Sequence, residues 1–558
     1  MILMLNNINN LNNAVKDAFQ EYGISCEVVF LYSQYPELSD IQCNELLKHQ
    51  KADFINDLVE GITINLNKLD EVEKCEIKDD FFINVSLSNN FLEKQLTGNK
   101  KWAESIDASL KNEPSKKILL DYGGPNIGKA LHVGHLRSLS IGRSLYRMNE
   151  IVGNSVTSDI HLGDWGMPVA YMIALVEKED IKLDKLDYKD LEEIYPRAVT
   201  HSEESEDFYE LAKNISVELN KENKKYIEKW EKILTISTKY IEENLSRLNH
   251  SFDVWRGESS VNSRIDPMIV RLVEENKIVE NQGAMIANLD LVPPILITKS
   301  DGSYLYITTD LATVIEREEE EFDEILYVVD NRQKKHFEQL FKCVEYFNLS
   351  KAKLKHIGFG TINGKDGKPL KTRDGDVYKL EQLHKDIKEK LVSYGTPADS
   401  INKLVNDILT YSDLLTNRNT DYKFDVEKFT DVQGKTAIYI EYAYVRGSKV
   451  IDDSRSIDWG EVGDPPSFQI SNRIERELII ELLKFKFYLD LSLVNNEPHH
   501  LADYVYMVAK KINTFYENEK ILNLKYEDAS QKLFLLEYSL HILSRGMYCL
   551  GMDPVKKL

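Results

Sequence analysis

The sequence predicts an α/β protein built on a doubly wound parallel sheet, with a smaller α/β region before it and an all-helical region after it. Three observations carry this expectation. A buried-strand pattern, Lys117–Tyr122 (KILLDY), runs into Gly123-Gly124-Pro125-Asn126 and then into a long helical pattern from about His132 to Val152. A second apolar strand, Ser155–Ile160, and a Gly163–Gly166 turn continue the alternation. From Leu380 to the end, apolar residues recur at helical spacing.

Taken in order, residues 1–110 read as a mixed unit. Helical periodicity covers Leu11–Tyr22, a short strand Cys26–Leu31, a second helix Gln42–Gln50, a strand Phe81–Leu87, and a further helix opens at Asn90–Leu96. Thr97–Lys116 is polar with few apolar anchors and reads as a linker. Residues 111–380 form the expected Rossmann-type core. Glu-, Lys- and Tyr-rich spacing at about 177–250 predicts exposed helices inserted between its halves. Sheet-like segments return at Met285–Leu289, Pro294–Thr298, Tyr304–Thr309 and Ile325–Val329. Residues 381–440 then connect to a helical domain at 441–558. At 558 residues, the chain is expected to hold about three or four domains.

Composition narrows the function classes. Apolar residues make up 42% and charged residues 29%, as in an ordinary globular protein. No run of eighteen apolar residues offers a membrane span, and Met1–Asn7 lacks the basic flank and long apolar segment of a secretion signal. The cysteines, Cys26, Cys43, Cys75, Cys343 and Cys549, are odd in number and never at C-x-x-C spacing. That argues against a zinc site or disulfide framework and for a reducing, cytoplasmic setting. Net charge is −22, which by itself opposes nucleic-acid binding. Ser471–Leu558, however, holds 12 Lys+Arg and 12 Asp+Glu, and such a neutral tail permits an RNA-facing surface.

The chemistry concentrates in Asp121–Arg137, DYGGPNIGKALHVGHLR. His132 and His135, three apart at a helix start, place both rings on one face. Gly134 between them leaves room for a flat base. A helix N-terminus favours phosphate, and two imidazoles add donors that can follow charge developing on an α-phosphate. Lys129 supplies a fixed cation nearby.

This block resembles the first signature of class I aminoacyl-tRNA synthetases, and PNIGKALHVGHLRS is similar to the arginyl-tRNA synthetase family. The resemblance implies that Asn126 holds the amino-acid end of the substrate, and that His132, Gly134 and His135 handle ATP. A glycine-flanked basic loop, Gly364–Gly375 (GKDGKPLKTRDG), stands where that family carries its mobile lysine loop. Lys368 and Lys371 there are expected to meet the pyrophosphate leaving group. How Lys129, Lys368 and Lys371 divide that task stays open.

A third cluster bears on the amino acid. Tyr306 and Asp310 in YLYITTDLA, Glu258 in WRGES and Gln333 in DNRQKKH are similar to the family's arginine pocket. A planar, permanently charged guanidinium pairs with carboxylates in bidentate fashion, whereas lysine presents only a point charge. His161–Met167 (HLGDWGM) also matches; Trp165 there either orients substrate or packs the turn. Asn417–Asp425, Tyr439–Arg446 and His499–Tyr516 resemble the family's helical C-terminal domain, whose exposed aromatics suit splayed anticodon bases. Asp40–Asn44 and Phe82–Leu87 resemble the N-terminal domain used against the outer corner of tRNA. The resemblance implies ATP with Mg²⁺, L-arginine and tRNA(Arg) as partners, transfer to the 3′-terminal adenosine, no resident metal, and a monomer. Competing readings are another class I synthetase, an inactive RNA-binding paralogue and a small nucleotidylyltransferase. The acid pair, the intact histidines with Lys129, and the long helical tail speak against them in turn.

Overall fold

The computed structural model describes the chain apart from residues 1–7, 34, 78–80, 98–101, 113, 290–293, 301, 365–366, 368–377 and 461–466. The chain folds as two compact units. One comprises Met1–Lys111, Val432–Cys549 and Asp553–Leu558; the other comprises Asn112–Asp431 and Leu550–Met552.

The second unit is built on five parallel strands: β1 (Lys117–Tyr122), β2 (Ser155–Leu162), β3 (Val254–Gly257), β4 (Glu324–Val328) and β5 (Lys353–His356). Their order is β5-β4-β1-β2-β3. The chain runs outward from β1 through β2 to β3, then returns to the other side of β1. Connections therefore diverge between β1 and β4, and the crevice at their carboxyl ends is where such sheets bind ligands. Apolar runs explain the burial: Ile118, Leu119 and Leu120 are at most 3% exposed, as a strand covered on both faces requires.

Helix α1 (Val133–Ile151) follows β1, α2 (Tyr306–Glu318) precedes β4, and α3 (Lys334–Phe347) follows it. Gly142 lets α1 settle onto β1, since a Cβ there would fall 2.2 Å from the Tyr122 ring. A three-stranded antiparallel sheet, Ile278–Asn281, Ala284–Ala287 and Leu296–Thr298, packs into the core that α2 and α3 share. The helices Tyr188–Glu204, Glu206–Asn220 and Lys224–Arg247 occupy the expected insertion. They do more than coat the surface: Leu191, Ile194, Phe208, Ile215, Leu219 and Ile233 close a core of their own with the helix Met167–Lys178.

The first unit joins a four-stranded antiparallel sheet, with strands Phe30–Tyr32, Ile41–Cys43, Ile83–Leu87 and Val72–Ile77 in that spatial order, to five long C-terminal helices between Ala437 and Cys549. Arg476 forks onto Asp40 with bonds of 3.0 and 2.7 Å, linking the two ends of the chain within this unit.

Several sequence expectations need correction. Gln42–Gln50 is not an α-helix: Ile41–Cys43 is a strand flanked by two partners, followed by a short 3₁₀ turn Glu45–His49. Sheet pairing outweighed the local helical pattern. Thr97–Lys116 is not all linker, because Trp102–Ser109 is helical. Its anchor is distant in sequence: Trp102 stacks on Tyr538 at 5.2 Å. Tyr304–Thr309 is not a strand; Tyr304 makes one bridge to Thr298 and the helix α2 starts at Tyr306. The β-branched, aromatic composition misled there. The helical run after Leu380 is interrupted by Tyr422–Lys423, which pairs with Ile362–Asn363. The strands β3 and β5 are short and partly charged, and periodicity passed over both.

Candidate active site

The turn after β1 is held against the end of β2. Ile127 N–H donates to Gly163 O at 3.1 Å and Gly163 N–H to Pro125 O at 3.0 Å. Asn126 lies exposed over this contact, and a Cβ at Gly163 would fall 2.0 Å from Asn126 Oδ1. Only glycine admits the Asn126 side chain in that place.

His132 is the N-cap of α1, in extended backbone. Its Nδ1 accepts from Gly134 N–H at 3.0 Å, while His135 Nδ1 accepts from His132 N–H at 3.1 Å. This is a capping box made by two imidazoles. Because each Nδ1 accepts from a backbone N–H, each neutral ring carries its proton on Nε2. The ring centroids are 4.0 Å apart. Burial first, then the charges of Arg332 and Lys129, hold His132 below the ordinary histidine range. Burial, then His132, depresses His135 to about 3. Both rings are therefore neutral donors at pH 7. Gly134 serves the cap itself, since a Cβ there would lie 2.7 Å from His132 Cε1. Two backbone bonds grip the entry to α1 from outside: Val133 N–H to Tyr378 O at 3.0 Å and Leu380 N–H to Leu131 O at 2.9 Å.

The acidic side of the crevice is assembled from β2, β3 and α2. Asp164 is 2% exposed and accepts from Ser259 N–H (2.9 Å) and Ser259 Oγ–H (2.6 Å). Burial raises its carboxyl, and the Ser259 bonds oppose that rise. Glu258 follows Gly257 at the end of β3. Burial, then Asp310, then Asp164 push its carboxyl up to about 8. Asp310, one turn beyond Tyr306 on α2, accepts from His336 Nε2–H at 2.5 Å. Partial burial, then Glu258 and Tyr195, raise the Tyr306 hydroxyl, and the residue is 69% exposed. Lys129 Nζ lies 4.6 Å from the centre of that same Tyr195 ring.

Electrostatic influence runs between the two halves of the site. Lys129 helps lower His132 and His135 and lies over the Tyr195 ring; Tyr195 and Glu258 both raise the Tyr306 hydroxyl, and Asp310 raises Glu258. The structure thus gathers His132, Gly134, His135, Lys129, Tyr306, Glu258 and Asp310 along one carboxyl-end crevice. Gln333 is exposed on the turn Asn331–Gln333, which also carries Arg332. Lys368 and Lys371 lie outside the described residues. Sequence reading did not single out Tyr195, Ser259, Arg332 or His336. The only signal for His336 was its place in DNRQKKH, three residues past Gln333, which puts it one helical turn along.

Beneath the pocket, α2 is locked to the sheet. Arg317, 1% exposed, donates to Asp121 of β1 at 2.7 Å and Asp159 of β2 at 2.8 Å. It lies seven residues past Asp310, two turns or about 10 Å along the same stripe.

Residues 102–426 match the family described as tRNA synthetases class I (R), catalytic domain, and residues 440–558 match the DALR anticodon binding domain. Fold and signature corner together define a class I aminoacyl-tRNA synthetase. Relatives named arginine--tRNA ligase include that of Alkaliphilus oremlandii, 32% identical over 599 aligned residues and covering 99% of each chain. That of Francisella tularensis subsp. tularensis is 34% identical, covering 93% of this chain and 94% of its own. The crystal structure of arginyl-tRNA synthetase from Plasmodium falciparum superposes with a TM-score of 0.79 at 25% identity, covering 99% of this chain and 100% of the other. The chain belongs to the arginyl-tRNA synthetase family.

Proposed function

We propose that this protein activates L-arginine with ATP and transfers it to tRNA(Arg). The observation that carries the reading is the junction of a neutral, donor-rich helix corner with a carboxylate pocket in one crevice. The arginine carboxylate attacks the α-phosphorus of ATP, supplied as its Mg²⁺ complex, and pyrophosphate leaves. The 2′-hydroxyl of the terminal adenosine then attacks the arginyl carbonyl and AMP departs. His132 and His135 donate from Nε2 to the α-phosphate oxygens as charge grows on them, and the positive end of the α1 dipole adds to this. Gly134 leaves the adenine side open. Lys129, with Lys368 and Lys371, neutralises the polyphosphate. Glu258, Asp310 and Tyr306 surround the guanidinium, Gln333 belongs to the same arginine pocket, and Asn126 holds the amino-acid end. In this reading residues 1–110 meet the outer corner of the tRNA, 441–558 meet the anticodon, and the protein acts as a cytoplasmic monomer. The test is aminoacylation of total tRNA with each amino acid in turn. Acceptance of arginine alone is expected, and charging of another amino acid instead would overturn the reading.

His135 separates capping from catalysis. His135→Gln retains an acceptor for the His132 N–H, while His135→Ala removes it at a cost of about 1 kcal/mol to α1. Both are expected to slow adenylate formation about 10²-fold, the scale of losing one transition-state donor. Single-turnover kinetics alongside melting curves check this; a normal rate in either variant refutes the role.

The shifted carboxyl of Glu258 has its own signature. Its folded value, about 8, lies above the ordinary carboxylate value, so its stabilising contribution is full below about pH 4.5 and is lost as pH rises through 8. Glu258→Gln should therefore melt close to wild type at pH 5 and gain about 1–3 kcal/mol by pH 8.5. Arginine affinity of the wild type should rise with pH over the same interval, because the cation requires the ionised acid. A melting difference independent of pH would contradict this assignment.

A further inference from the structure

We infer that His336 sets the amino-acid specificity of this site by fixing the carboxylate plane of Asp310. The inference rests on the arginine-activating reading above. Asp310 has two oxygens, and His336 Nε2 takes Oδ2 at 2.5 Å. A carboxylate tied at one oxygen loses its rotation about the Cβ–Cγ bond and presents the other oxygen in a fixed direction. A planar fork rewards such fixed geometry, whereas a point charge of three rotatable donors is indifferent to it. Selectivity for guanidinium over ammonium therefore depends on the tether and not on the acid alone.

The tether is itself braced. His336 meets Phe337 edge-on, with centroids 5.6 Å apart at 84°. Phe337, 7% exposed, stacks flat on His356 at 5.0 Å and 7°. His356 Nε2 bonds Val329 O at 3.1 Å, just past the end of β4. The turn leading into α3 is pinned as well: Asn331 N–H donates to Phe359 O at 2.9 Å, and Asp330 accepts from Arg332 N–H at 2.8 Å. An aromatic stack on the sheet thus locates the histidine, and the histidine locates the acid. His336 does not stand among the residues assigned to substrate, so it acts as a positioning residue.

The experiment compares wild type, His336→Ala and His336→Gln in aminoacylation of total tRNA, with arginine, lysine and ATP varied separately. The Gln side chain carries an amide N–H at about the reach of Nε2 and serves as the conservative variant. His336→Ala should raise KM for arginine about 10- to 50-fold and lower arginine-over-lysine discrimination about tenfold. Its KM for ATP should stay within twofold and its melting temperature near wild type. His336→Gln should restore most of the arginine affinity and discrimination. An unchanged arginine KM in His336→Ala overturns the inference. So do a parallel rise in both substrates' KM and a Gln variant as impaired as Ala. Failure of the wild type itself to charge arginine would instead strike the functional reading, so the two failures are told apart.

Discussion

Asp310→Ala is expected to lose arginine kcat/KM by about 10²–10⁴-fold while KM for ATP moves less than about twofold. Pairing sets the size of this loss. A desolvated guanidinium deprived of one of its carboxylates costs about 3–5 kcal/mol, and each 1.36 kcal/mol is tenfold. The effect should be confined to the amino acid because Asp310 belongs to α2, whereas the phosphate corner is built from the turn after β1 and the cap of α1. A secondary response is also expected. Asp310 is the first charge that raises Glu258, after burial. Its removal lets Glu258 ionise more readily near neutrality, so the variant's arginine affinity should depend less on pH than the wild type's. Steady-state aminoacylation between pH 6.5 and 8.5 measures both effects. Arginine kinetics like those of the wild type would remove Asp310 from the pocket.

Arg317→Met should destabilise the unit that holds the site by about 3–5 kcal/mol, because it leaves the buried Asp159 and the half-buried Asp121 without their shared cation. For a unit of this size the melting temperature should fall on the order of 10 °C. Arg256, 3.8 Å from Asp159, covers part of the deficit. Adding Asp159→Asn to Arg317→Met should recover a sizeable part of the loss, since one of the stranded charges is then gone. Additive losses in the double variant would show that the buried pair is not coupled through Arg317. Because Arg317 joins α2 to both β1 and β2, surviving enzyme should also bind arginine more weakly.

Much of the architecture was legible in the chain itself. Lys117–Tyr122, the glycine turn and the helix from His132 have local signatures: a short apolar run, residues that tolerate turns, and a 3.6-residue period. Their boundaries agree with β1 and α1 to within a residue. Elements whose stability comes from distant partners were not legible. Trp102–Ser109 looks like linker until Tyr538 stacks on it, and Gln42–Gln50 looks helical until two strands flank its first residues. Tyr304–Thr309 shows the reverse error, because its strand-like composition runs into the first turn of the helix α2.

The site divides along the same line. Sequence by itself determined the family, the parallel sheet, and the residue types poised at its carboxyl edge, because those follow from motif, period and turn chemistry within a few tens of residues. Tertiary structure alone decided that Ser259 holds Asp164, that burial and Asp310 raise the Glu258 carboxyl, and that His336 grips Asp310 while Arg317 anchors the same helix to the sheet. These partners come from different strands and helices. The packing of those elements sets their burial and mutual charge, and no local pattern in the chain encodes it.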